Sequence, residues 1–191
     1  MTLSLGNLKI KIDIILCIII FASFLNKEID LYFSNYITCL LFTVFHEFSH
    51  IFMASIFGKQ ITDINFTVCG LNAKIEEKNK IQKCWFLIYL AGPISNLILA
   101  ILTRKVYVSF MLNMVLCILN LLPIYPLDGF KILDLLLKWY VPNIVRIKIT
   151  KQISLKVISI ITIMGGIVML KTKNPSMLLI VFYVINIHIN Y

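Results

Sequence analysis

The sequence has few charged residues, and few of those are acidic. Asp and Glu number 9 against 18 Lys and Arg, and charged residues make up 14% of the chain, whereas a soluble domain carries about 25%. Hydrophobic residues reach 60%, against roughly 45–50% in soluble domains. A compact soluble core of 191 residues cannot hide that much apolar surface. A soluble fold is therefore excluded, and lipid is the expected solvent.

The sequence also lacks paired cysteines. It has five, and none belongs to a Cys-x-x-Cys pair. They are Cys17, Cys39, Cys69, Cys84 and Cys117. This distribution argues against a disulfide framework and against a thiolate zinc site. Small buried apolar residues are the expected role.

Six apolar runs are candidates for membrane-spanning helices, which need about 20 mostly apolar residues. They are 10–25, 34–57, 84–103, 106–126, 154–170 and 175–190. Lys9 and Lys11 precede the first run, and no small-residue cleavage site follows it, which favours a span over a cleavable signal peptide. We expect an all-α polytopic membrane protein with one domain, residues 1–191.

The basic residues predict the orientation. The net charge is +9, but the lysines lie between apolar runs, which indicates loops held on one side of a membrane and no nucleic-acid partner. Five of the 18 fall on one side of the six-span arrangement, and the rest fall on the other. The five are Lys27, Arg104, Lys105, Lys171 and Lys173. The positive-inside rule then places both termini in the cytoplasm.

Two shorter elements are predicted between the spans. Polar and apolar residues alternate on both sides of Gly70, which predicts a membrane-associated β-hairpin over 61–76, after the second span. Lys131, Asp134 and Lys138 share one face of a helix that ends before Pro142. This pattern is typical of an interfacial amphipathic helix after the fourth span.

The motif with the clearest chemistry is His46-Glu47-Phe48-Ser49-His50. On a helix, His46 and His50 project from one face and can bind one metal ion. Glu47 beside them can take a proton from a water that zinc makes nucleophilic. A chance match is the alternative, but an ionisable group at the bilayer centre costs on the order of 3 kcal/mol, so three neighbouring ones require a function. We expect one Zn²⁺ per chain and no organic cofactor.

A catalytic zinc usually has three protein ligands, and Asp128 is the best candidate for the third. It closes the fourth span in Asn120-Leu121-Leu122-Pro123-Ile124-Tyr125-Pro126-Leu127-Asp128-Gly129. Pro123 and Pro126 break the helix before the acid, and Gly129 allows a turn after it. A solvated aspartate at a helix end is the alternative. By the charge count, the histidines and Asp128 both lie toward the cytoplasm.

Gly92-Pro93-Ile94-Ser95-Asn96 interrupts the third span. A hydrogen-bonding or close-packing role and a simple Gly-Pro kink are both consistent with it. His188 stands apart from these motifs, and a structural or interfacial role is expected for it. The same metal ligands would also suit a membrane metal transporter or a metal-binding sensor without hydrolysis, although the spans offer few further polar positions for a transport path.

Together the three motifs resemble the site-2 protease family of intramembrane zinc metalloproteases. The resemblance covers about residues 31–130. It implies that His46, His50 and Asp128 bind zinc and that Glu47 is the general base. It also implies that Asn96, Asn120 and Pro126 shape the substrate channel.

The motif Leu-Leu-Pro-Ile-Tyr-Pro-Leu-Asp-Gly and the short length resemble those of one branch of the family. Proteases of that branch release membrane-tethered sigma factor precursors during spore formation, under the control of partner membrane proteins. That similarity implies a membrane-associated protein substrate cut near the cytoplasmic face. Many relatives continue into a nucleotide-sensing CBS domain, and the envelope-stress branch holds a PDZ domain; neither domain is expected here.

Overall fold

The computed structural model describes residues 2–5, 8–12, 30–67, 70–75 and 82–172. The chain divides into two compact units, Met1–Cys117 and Ile118–Tyr191. The first unit holds strands β1 (Thr2–Leu5), β2 (Leu8–Ile12), β3 (Ile61–Thr67) and β4 (Gly70–Ile75), helices α1 (Asp30–Ile56) and α2 (Gln82–Leu102), and most of α3 (Tyr107–Leu121). The second unit holds the end of α3 followed by α4 (Asp128–Leu137) and α5 (Asn143–Thr172).

Helix α1 is long because its sequence is apolar without proline, and it ends at a defined cap. Gly58 has a positive φ of 63°. Its N–H donates to the carbonyl of Ser55, and the N–H of Lys59 donates to the carbonyl of Ala54. This pair of bonds is a Schellman motif, which favours glycine at the left-handed position. The cap turns the chain out of α1 and into β3.

Among the described residues, two helices are long and apolar enough to cross a membrane, Ser34–Ile56 and Cys84–Leu102. They correspond to the predicted second and third spans, and α1 packs against α2. Helix α3 is apolar but shorter than the predicted fourth span, and residues 154–170 of the predicted fifth span are helical within α5. The predicted sixth span lies outside the described residues.

The predicted first span is wrong at its start, because residues 10–12 belong to strand β2. Residues 13–29 lie outside the described residues. The strands form one four-stranded sheet in the order β1-β2-β3-β4. β2 runs parallel to β3, and the other two pairs are antiparallel. The expectation of a hairpin in an otherwise all-α chain therefore missed the two N-terminal strands.

The predicted hairpin over 61–76 is confirmed as β3 and β4. The register pairs Ile64 with Ala73 and Phe66 with Leu71, so the predicted apolar positions oppose one another across the strands. β4 also packs against α1. The hairpin is thereby attached to the helix that carries the histidine motif.

The segment after α3 differs from prediction in detail. Helix α4 begins at Asp128 and ends at Leu137, whereas the amphipathic pattern suggested 131–141. Gly129 lies in the first turn of α4 and does not make a turn after the acid. α4 packs against α5, and Arg146 of α5 pairs with Asp134 of α4 at 3.0 Å.

Candidate metal centre

Helix α1 presents His46 and His50 on one buried face. Their exposed fractions are 4% and 6%. The four-residue spacing places them one above the other on the helix. Their Nε2 atoms lie 3.2 Å apart. Glu47, which is half-buried, completes a cluster whose possible ligand atoms all lie within 4.8 Å of one another.

The separation of the two Nε2 atoms suits a tetrahedral metal ion. Zinc binds histidine nitrogen at about 2.0–2.1 Å, so two of its nitrogen ligands are held roughly 3.3 Å apart. The observed 3.2 Å agrees with that geometry without rearrangement of either ring. Two imidazole nitrogens are therefore already held at the separation that one metal ion requires.

The ring of His50 is oriented by a backbone carbonyl of α2. Its Nδ1 lies 2.6 Å from the carbonyl oxygen of Ile88. A carbonyl only accepts hydrogen bonds, so in a neutral ring Nδ1 carries the proton and Nε2 is the acceptor nitrogen. Such outer hydrogen bonds fix the tautomer of metal-binding histidines.

The ring of His46 is oriented by a side chain of α2. Nδ2 of Asn96 lies 3.0 Å from Nδ1 of His46. Asn96 is completely buried. The family resemblance implied a role for Asn96 in the substrate channel; the structure places its side chain against His46, a predicted metal ligand.

Gly92 of α2 lies directly against the two rings. A Cβ built on Gly92 would overlap Nε2 of His50 and would lie 2.6 Å from Nε2 of His46. The missing side chain leaves room beside the nitrogens, which is what a bound ion requires. The residues of the first unit therefore fit a zinc ion: two aligned imidazoles, an adjacent carboxylate and an unfilled space.

The expected interruption of α2 at Gly92–Pro93 is wrong, because the helix continues through Pro93 to Leu102. The close-packing role of this motif is confirmed by Gly92 against the histidines. The hydroxyl of Ser95, which is also buried, donates to the carbonyl of Gly92 at 2.6 Å. The motif shapes the wall of the site while leaving the helix intact.

Asp128 lies in the second unit, at the N-terminus of α4. It is 5% exposed, and Nζ of Lys131 lies 3.0 Å from its Oδ1. Asn120 lies in the last turn of α3, and Pro126 follows Tyr125 through a cis peptide bond. A Cβ at Gly129 would overlap the backbone of Leu121, so glycine is required where α4 passes α3.

An apolar groove of about 390 Å³ lies between α1 and α2. Phe45, Phe48 and Phe52 line it from α1 at helical spacing, and Ile94 and Ile98 line it from α2. The prediction did not single out these residues, although the three-and-four spacing of the phenylalanines was a visible signal. The carbonyl of Ile88 was also missed, and no sequence signal marks it, because every residue has a carbonyl.

Comparisons with known proteins agree with this geometry. The model of peptidase family M50 matches residues 102–166, which include Asn120 and Asp128. Over 115 residues the chain is 30% identical to stage IV sporulation protein FB of Bacillus subtilis (strain 168). That alignment covers 54% of this chain and 40% of the relative, so the matched region is less than half of the relative's length.

The fold is similar to that of the site-2 protease from Methanocaldococcus jannaschii, with a TM-score of 0.69 and 23% identity over 100% of this chain and 94% of that one. The matched region, the fold and the buried His46–His50 pair on an apolar helix are together similar to the site-2 protease family of membrane metalloproteases. Members of this family are integral membrane proteins, and the M50 peptidases are zinc metalloproteases.

Proposed function

We propose that this chain is an intramembrane zinc metalloprotease that hydrolyses a peptide bond of a membrane-associated protein near the cytoplasmic face. The observation that carries the proposal is the pair of Nε2 atoms 3.2 Å apart on an apolar helix, with Glu47 beside them. The similarity to peptidase family M50 and to the site-2 protease fold supports the same proposal.

His46 and His50 would hold the zinc ion through Nε2, and Asp128 is proposed as the third ligand. When bound, zinc supplies Lewis acidity, which polarises the scissile carbonyl and makes water a nucleophile near neutral pH. Glu47 takes the proton of the attacking water and passes it to the leaving amine. Asn120, Pro126 and Gly129 are proposed to shape the substrate path beside Asp128.

The substrate must be extended before it is cut, because the carbonyls of a membrane helix are already hydrogen-bonded. We propose that the substrate adds to the sheet as a further strand at β4. β3 is covered by β2 on one side and by β4 on the other. β4 is an edge of this sheet and packs against α1, which carries Glu47. An added strand would therefore lie near the catalytic residues.

The substrate class follows from the similarity to stage IV sporulation protein FB, whose name links it to sporulation. We propose a membrane-tethered sigma factor precursor as substrate and regulatory membrane proteins as partners. We also propose that both termini lie in the cytoplasm and that residues 1–191 act as one protease domain.

Co-expression of a sigma factor precursor with wild type or Glu47→Gln tests the proposal. Cleavage by wild type alone is expected, because Gln cannot accept the proton. Equal cleavage by both variants would remove Glu47 from the mechanism. If neither variant cuts while both retain zinc, the chain acts on another substrate or requires a partner that was not co-expressed. A metal transporter would retain its metal-dependent phenotype with Gln at this position.

A further inference from the structure

Asn96 contains a buried polar atom without a partner. The side chain is 0% exposed. Nδ2 faces His46, but Oδ1 has no hydrogen-bond partner among the described residues. Buried polar groups are nearly always paired, so an orphan in a native structure requires an explanation.

In the observed arrangement, Asn96, His46, His50 and the carbonyl of Ile88 can be joined by consecutive hydrogen bonds. Nδ2–H of Asn96 donates to Nδ1 of His46, so the proton of a neutral His46 ring sits on Nε2. That Nε2–H can donate to Nε2 of His50, 3.2 Å away. His50 in turn donates from Nδ1 to the carbonyl of Ile88. Every ring nitrogen is satisfied, but Nε2 of His46 has no lone pair to offer a metal.

A rotation of the Asn96 amide by 180° exchanges its oxygen and nitrogen. Oδ1 then accepts from Nδ1–H of His46, and the ring proton leaves Nε2. Both Nε2 atoms now present lone pairs to the same point. Asparagine supports both arrangements because it donates with one atom and accepts with the other.

We propose that Asn96 is a positioning residue for His46 whose amide turns from donor to acceptor when the metal binds. When the Asn96 amide donates to His46, the metal-free histidines are hydrogen-bonded to each other. When the amide accepts from His46, it holds that ring in the tautomer that can bind a metal. This inference rests on the proposed zinc site. It assigns Asn96 to the metal, whereas the family resemblance implied a role in the substrate channel.

Competition between the purified protein and a chelator for Zn²⁺ measures the effect without any proteolysis. Asn96→Ala removes the acceptor and should lower zinc affinity by roughly 10–100-fold, as loss of an outer hydrogen-bond partner does. Asn96→Asp supplies only acceptors and should restore the affinity to the wild-type value or above. Asn96→Leu fills a similar volume without an acceptor, so it should lose zinc affinity as Asn96→Ala does; wild-type affinity in Asn96→Leu would show that Asn96 has a merely structural role and would overturn the inference.

Asn113→Ala is the matched control. Asn113 is also 0% exposed, and its Oδ1 has no hydrogen-bond partner in the described part of the chain, but its Nδ2 donates within its own helix to the carbonyl of Ser109. Wild-type zinc affinity is expected for this variant. Unchanged affinity in Asn96→Ala, or equal loss in Asn96→Ala and Asn96→Asp, would overturn the inference alone. Absence of zinc binding by the wild type would overturn the proposed function as well.

Discussion

Nε2 of His46 and Nε2 of His50 lie 3.2 Å apart, and Gly92 of the neighbouring helix leaves the space beside them unfilled. The two histidines come from one helix, while the groups that orient them come from another. Binding of a metal therefore depends on the packing of α1 against α2 as well as on the histidine motif itself.

Gly92→Ala should abolish zinc binding, because its Cβ would overlap Nε2 of His50. The rings would have to move off the position that a metal requires. Zinc content of the purified protein measures the result. Gly166→Ala is the control, because nothing lies within 4 Å of a Cβ at that helical glycine, and it should keep its zinc. Equal zinc content in both variants would disprove the steric argument.

Gly58→Ala should destabilise the protein by about 1 kcal/mol without changing metal affinity. Gly58 has φ of 63°, a region that costs an alanine roughly 1–2 kcal/mol. No atom lies within 4 Å of the added Cβ, so the cost is conformational and not steric. Thermal unfolding of the purified variant measures it, and Gly58→Asn should recover part of the loss. An unchanged unfolding temperature would show that the cap contributes nothing.

Asp128→Asn should weaken zinc binding strongly, because it removes a proposed ligand. Loss of an outer hydrogen-bond partner lowers metal affinity by roughly 10–100-fold, and the loss here should be larger. Asp134→Asn offers a comparison on the same helix. It breaks the ion pair with Arg146 and should lower stability while leaving zinc affinity intact. If both variants bind zinc as tightly as wild type, Asp128 is not the third ligand.

Proline substitutions at neighbouring positions of β4 test strand addition. Backbone N–H groups of an edge strand alternate between the partner strand and the open side. The variants Asn72→Pro and Ala73→Pro therefore each remove one N–H group. One of these groups points toward β3, and the other points to the open side of β4. The variant that keeps the β3–β4 pairing should fold yet cleave more slowly, with a raised KM. Wild-type cleavage by both variants would exclude addition at β4.

The histidine motif was predictable because its chemistry requires a fixed spacing on a helix and because ionisable groups are rare in apolar runs. The role of Asn96 was not predictable from the sequence. Asn96 lies 50 positions from His46 in sequence, and the two side chains meet only because α1 packs against α2. Gly92 was recognised as a packing residue, but the atoms it touches could not be derived from the sequence.

The N-terminal strands were missed although Gly6-Asn7, between two short apolar stretches, is a known hairpin signal. The hydropathy of the following residues favoured a membrane span, and residues 10–12 were therefore assigned to that span. Gly129 was assigned to a turn for its flexibility, whereas the structure requires it for its small size. For Gly129 the deciding contact is tertiary, and local patterns do not contain it.

Zinc content and cleavage measured on the same purified samples of wild type and Glu47→Gln test the central claim most directly. The account predicts one zinc per chain in both proteins and cleavage only by wild type, because Glu47 moves protons and is not proposed to hold the metal. Cleavage by Glu47→Gln, or a wild type that cleaves without zinc, would contradict it.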